Sequence, residues 1–136
     1  MRLTFCVALL FVAMAGCSSS DEVQRSTSPD GQVDAIVTES DCGAPYSFVY
    51  EISLVPTGKR SDQRVAILDA STRNAHAWGV NVKWLDSMTL SAEYLKADSA
   101  KLERQTVVVA GHQIKILLLS GVTDPKAPAG GMLFNR

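Results

Sequence analysis

Asp41-Cys42-Gly43-Ala44-Pro45 sets a thiol beside a carboxylate and is the most unusual segment of this 136-residue sequence. A cysteine becomes a nucleophile as its thiolate, which needs a nearby base and a third group to orient that base. The only imidazoles are His76 and His112. No protease-like or CxxC signature surrounds Cys42. The competing structural reading is a turn, with Asp41 capping backbone amides and Gly43 taking a positive φ. Composition and pattern favour that turn, and leave Asp41, Cys42 and Gly43 as a candidate binding edge or free thiol.

Other chemistry is less supported still. Neither CxxC nor HExxH spacing occurs, so no metal site and no cofactor are expected. Asp30, Asp34, Glu39 and Asp41 gather around one predicted strand. A calcium site needs a tight loop of oxygens, so a solvated acidic face is expected instead. Tyr46, Phe48, Tyr50, Trp78 and Trp84 are expected in the core rather than around a ligand, since aromatics bury large areas.

The other cysteine that matters is Cys17. Arg2 precedes an uncharged apolar run, Leu3–Ala15, too short for the ~20 residues that span a bilayer. A basic start, a short apolar stretch and small residues at its end make a secretory leader. Its last residues, Met14-Ala15-Gly16-Cys17, resemble the lipobox of bacterial lipoproteins, with Met14 where Leu is commonest. The resemblance implies cleavage before Cys17 and lipid on its thiol. Two or more acyl chains anchor stably, where one binds only reversibly. In enteric-type bacteria, Ser18 at the next position implies sorting to the outer membrane. Loss of Cys6 with the leader and lipid on Cys17 would leave Cys42 with no internal disulfide partner.

These elements must be carried by the rest of the chain. The expected organisation is a leader over 1–16, a lipidated cysteine and flexible Ser-rich tether over 17–28, a β-rich domain over 29–120 and an irregular tail over 121–136. Ser28-Pro29-Asp30-Gly31 is a turn. Val33, Ala35 and Val37 alternate within Gln32–Ser40. Tyr46, Phe48, Tyr50, Ile52 and Leu54 alternate over Tyr46–Val55 and predict a half-buried strand with Glu51 outward. Shorter strands are expected at Arg64–Asp69, with Val65 and Ile67 on one face, at Gly79–Trp84 and at Thr89–Leu95. A last hairpin joins Gln105–Ala110 to Gln113–Leu119. Its second arm is apolar on both faces near Leu117–Leu119, as a central or covered strand is. Lys96–Arg104 reads as a loop or one helical turn. Six or seven strands pairing in sequence order predict a mainly β fold, an antiparallel sandwich or small barrel.

SPDG before a strand, DCGA, an alternating strand and then Val82-Lys83-Trp84-Leu85-Asp86 together resemble small uncharacterised bacterial envelope lipoproteins, over roughly residues 28–95. That resemblance implies location and fold, with no activity attached. The sequence holds 13 Lys and Arg, one of them Arg2 in the leader, against 14 Asp and Glu, with no basic run. Nucleic acid is thereby a poor partner. The expected role is a membrane-anchored, non-enzymatic binding or structural module for a periplasmic protein partner. The alternatives are an envelope thiol-dependent or redox enzyme using Cys42, and a periplasmic hydrolase inhibitor.

Overall fold

Alternation is the organising signal of this chain, and the structure follows it. The computed structural model describes residues 19–43, 48–60, 63–71 and 79–122, and Cys17, Ser18, Tyr46, His76 and Trp78 lie outside them. The described residues form strands β1 (Ser19–Thr27), β2 (Val33–Asp41), β3 (Phe48–Pro56), β4 (Gln63–Asp69), β5 (Asn81–Asp86), β6 (Thr89–Tyr94), β7 (Ser99–Leu102), β8 (Thr106–Val109) and β9 (His112–Ser120). They make two sheets, one of order β1-β2-β3-β4-β7 and one of order β5-β6-β9-β8. The sheets are not closed into a barrel; they face each other as a β-sandwich.

The core lies between the sheets. Val33, Ala35 and Val37 of β2, and Tyr50, Ile52 and Leu54 of β3, pack against Val82, Leu90, Ala92, Val107, Ile114 and Ile116 of the second sheet. Tyr50 stands opposite Glu39 in register, and its hydroxyl donates to that buried carboxylate at 2.5 Å. Gly79 packs so closely on the Tyr50 ring that an added Cβ would sit 2.1 Å from a ring carbon. One seam between the sheets is sealed by side chains. Gln24 of β1 both donates to and accepts from the backbone of Val82, at 3.1 and 3.0 Å, and the Trp84 indole donates to Ser26 O at 2.9 Å.

Several expectations are corrected. Most of the segment read as a flexible tether is β1, paired antiparallel with β2 from Asp34 to Asp41. Its inward positions Asp21, Gln24 and Ser26 are polar and half-buried and only Val23 packs on the core, so no apolar period marks it. The charged stretch Lys96–Arg104 contains β7, an edge strand whose Ala100 and Leu102 pack on the core. Pairing follows sequence order except twice. β4 pairs with β7, and β6 pairs with β9 in parallel, so β9 is central as its two-sided apolar character predicts.

The face assigned within β4 is also corrected. Its ladder with β3 slips between Ile52 and Ser53, leaving Val65 as an extra residue. Val65, Ala66 and Leu68 are all buried, and Ile67 turns to the other face. A bulge resets the two-residue count, and alternation alone cannot locate it.

For β3 the register is as read, with Tyr50 and Ile52 buried, Phe48 half-buried against the core and the Glu51 side chain 37% exposed. Tyr50→Ala is expected to cost about 3–5 kcal/mol, the range for truncating a buried aromatic. Glu51→Ala should cost less than about 1 kcal/mol, as for an exposed ion pair. Urea unfolding of the two variants checks the contrast; equal losses would overturn the register.

Candidate functional site

The outer face of the five-stranded sheet carries a shallow, open depression of about 420 Å³. Glu22 and Arg25 of β1, Ile36 and Thr38 of β2, Glu51 and Ser53 of β3, and Arg60 of the following loop line it. The lining follows from register. Glu22 pairs with Thr38 and Thr38 with Glu51; Arg25 pairs with Ile36 and Ile36 with Ser53. Two adjacent rungs therefore supply six of its side chains.

Glu22 and Arg25 are three residues apart, a spacing that puts side chains on opposite faces of a regular strand. A bulge between Glu22 and Gln24 makes Val23 the extra residue and brings both to the outer face. Arg25 then clasps Glu22 through two hydrogen bonds, Nε to Oε1 at 2.7 Å and Nη2 to Oε2 at 2.8 Å. Its Nη1 reaches Asp34 at 2.8 Å. The bulge at Val65 does the same for Arg64, which bonds Glu51 at 2.9 Å and Glu103 at 2.9 and 3.1 Å.

These pairings set the electrostatics. The hydrogen bond from Arg25 holds the Glu22 carboxyl below its ordinary range, and Arg60 adds to the effect. Arg64 does likewise for Glu103. Burial pushes Asp34 upward, but bonds from the Thr27 hydroxyl, the Gly58 amide and Arg25 outweigh it and leave the carboxyl below its ordinary value. Asp34 is 2% exposed and Glu39 2% exposed, so the expectation of a solvated acidic face fails for these two residues. Asp34 is buried because a full set of donors surrounds it, and Glu39 because its parity is that of Val33, Ala35 and Val37.

The Glu22 carboxyl is thus moved away from the neutral form that a general acid needs. Thr38, Ser53 and Arg60 make no side-chain hydrogen bond or ion pair among the described residues. Two hydroxyls and one guanidinium are open to a ligand, over a floor that includes Ile36.

Asp41, Cys42 and Gly43 lie elsewhere, Asp41 as the last residue of β2 and the other two just past it. Their turn is as read: the Gly43 amide donates to Asp41 Oδ1 at 2.9 Å and Gly43 has φ 72°. The free thiol is corrected. Cys42 is disulfide-bonded in the 136-residue chain, with its partner cysteine outside the described residues. Counting cysteines after cleavage and lipidation had removed both partners, and both are still present in this chain. A Cys42–His112 couple is also absent. His112 stands 3.7 Å from Asp30, before the start of β2, while Cys42 follows the far end of that nine-residue strand. Among the described residues, no three His, Cys, Asp or Glu side chains gather as metal ligands would. Trp84 and Phe48 pack on the core.

The sequence reading missed the depression. Thr38, Glu51 and Ser53 were legible as outward positions by parity. Glu22 and Arg25 were not, since a bulge in a polar edge strand leaves no mark in apolar spacing. No family model, curated protein or solved structure matches this chain.

The Asp34 carboxyl titrates lower in the folded chain than its ordinary 3.8, so its stabilising effect is present above that value and is lost as pH falls through the lower, folded value. Asp34→Asn would turn an amide N–H₂ toward Arg25 or Gly58 and is expected to cost about 2–4 kcal/mol at pH 7. The gap between wild type and variant should close toward pH 2. Unfolding free energies across that range check it, and a pH-independent gap would contradict the assignment.

Proposed function

We propose that this chain is a lipid-anchored protein of the bacterial envelope whose sandwich acts by binding rather than by catalysis. The ligand class that the depression suits is a polar, extended group bearing one anion. A single observation carries this reading: the carboxylates of the depression are occupied by arginines, while Thr38, Ser53 and Arg60 are left open. Arg60 can meet a carboxylate or similar anion through its planar fork. Thr38 and Ser53 can give or accept hydrogen bonds beside it. No hydroxyl of the site has a base hydrogen-bonded to it, so the arrangement lacks the activated nucleophile of a hydrolase.

The anchor rests on the leader and on the lipobox-like Met14-Ala15-Gly16-Cys17. With Ser18 next, the assigned site is the outer membrane, facing the periplasm. Lipid on Cys17 and an internal disulfide at Cys42 are alternatives in the mature chain. Cleavage removes Cys6, and a thioether occupies Cys17. The rival reading, a thiol enzyme, has no imidazole beside Cys42 among the described residues. The inhibitor reading has no observation in its favour.

Two measurements on the same preparation test the proposal. Mass spectrometry of the membrane-extracted protein should find a diacylglyceryl group on Cys17, and a free thiol there contradicts the anchor. Titration of a Cys17→Ser chain with glutamate dipeptides and with glucuronate, followed by amide chemical shifts, should perturb Thr38, Ser53 and Arg60. Arg60→Glu should abolish those shifts without loss of stability. Shifts confined to other surfaces would contradict the site.

A further inference from the structure

In an antiparallel ladder, alternate residues of an edge strand turn both N–H and C=O away from their partner strand. Both edges of the four-stranded sheet are capped by a glutamine from the other sheet. Val82 of β5 has both groups taken by Gln24, at 3.0 and 3.1 Å. On β8, the bond from Ile116 N to Gln105 O leaves Thr106 and Val108 facing outward, and Val108 O accepts from Gln63 Nε2 at 3.3 Å. The five-stranded sheet differs. Ser28 N bonds Val33 O at 2.8 Å, which fixes the parity of β1: Gln24 and Ser26 bond across to β2, while Arg25 and Thr27 turn amide and carbonyl outward. Neither backbone has a hydrogen-bond partner among the described residues. β7 is open by the same argument at Ala100 and Leu102, since Glu103 N bonds Val65 O at 2.8 Å. Those two side chains pack on the core, so a strand added there would point its paired side chains away from the outer-face arginines.

We infer that the free edge of β1 takes up a short extended peptide as an antiparallel sixth strand, with a carboxylate on the residue that pairs with Arg25; this rests on the depression being the binding site and names its ligand class. A residue directly opposite Arg25 has its side chain on the same face as Arg25. That face is the wall of the depression formed by Glu22 and Arg25. Arg25 holds Glu22 and Asp34, and Arg64 holds Glu51, so Arg60 is the guanidinium of the depression left for an incoming anion. Arg60 helps to hold the Glu22 carboxyl low, so a carboxylate beside Arg25 stands next to the same charge. The bulge at Val23 limits the occupant. The regular edge runs from Gln24 to Thr27, and its two outward residues are about 7 Å apart, a match for a partner of about five residues. A second copy pairing along the nine residues of β1 would run into that bulge.

The test uses the 136-residue chain with its disulfide intact and the capped peptide Thr-Glu-Thr-Glu-Thr. Binding should shift the amide resonances of Arg25 and Thr27 together with that of Arg60. Methylating the two Glu nitrogens of the peptide should weaken binding about tenfold or more, and methylating the central Thr nitrogen by less than about twofold. Thr27→Pro removes an outward N–H that β2 does not use, at an edge position where Pro is tolerated. It should abolish binding, whereas Thr27→Val, which loses only the hydroxyl bond to Asp34, should keep it. The methylated peptides carry the test on wild type should Thr27→Pro fail to fold. Equal effects of the two methylations, or shifts at Arg25 and Thr27 that grow with protein concentration alone, overturn the inference. A glutamate dipeptide separates the two failures. If it perturbs Thr38, Ser53 and Arg60 while the longer peptide leaves Arg25 and Thr27 unmoved, strand addition alone is refuted. If neither ligand perturbs these residues, the site and the strand addition fall together.

Discussion

The clasp of Glu22 by Arg25 depends on one extra residue. In a regular strand their odd separation would send one into the core and the other to solvent. The bulge at Val23 resets the count, so that Glu22 and Arg25 share the outer face while Gln24 turns inward to the Val82 backbone. One irregularity thereby builds a wall of the depression and closes the seam between the two sheets. The second bulge, at Val65, frees Arg64 to hold Glu51 from the other side. Between these two irregular strands, β2 and β3 run in unbroken register and supply the floor.

Much of the fold was legible because β2, β3, β5, β6, β8 and β9 bury one face or both, and period two survives in them. Val33, Ala35, Val37, Tyr50, Ile52, Val82 and Leu90 could be assigned inward from spacing alone. What escaped was the pair of edge strands of the five-stranded sheet. β1 buries polar side chains, and β7 has four residues. Edge strands satisfy half their backbone by pairing and carry little apolar surface, so composition reads them as loops. The parallel partnership of β6 and β9 was illegible for another reason: nothing local distinguishes it from a hairpin.

The candidate site divides the same way. The turn at Asp41-Cys42-Gly43 was read from residue types that act locally, and its geometry is that of the reading. The depression is lined by four segments and shaped by two register slips, and none of its charged residues carries a local motif. Asp34 and Glu39 show the cost of reading charge as exposure. Each is buried, one by donors from three directions and the other by parity.

The most direct test of this account is the coupling between Glu22 and Arg25 in a double-mutant cycle, with each residue changed to Ala singly and together. Their side chains are 44% and 31% exposed, so the interaction is screened. A coupling of about 0.5–1 kcal/mol in unfolding free energy is expected for a two-bond clasp on one face. A coupling of zero would contradict the clasp of Glu22 by Arg25 as the interaction that holds this wall of the depression.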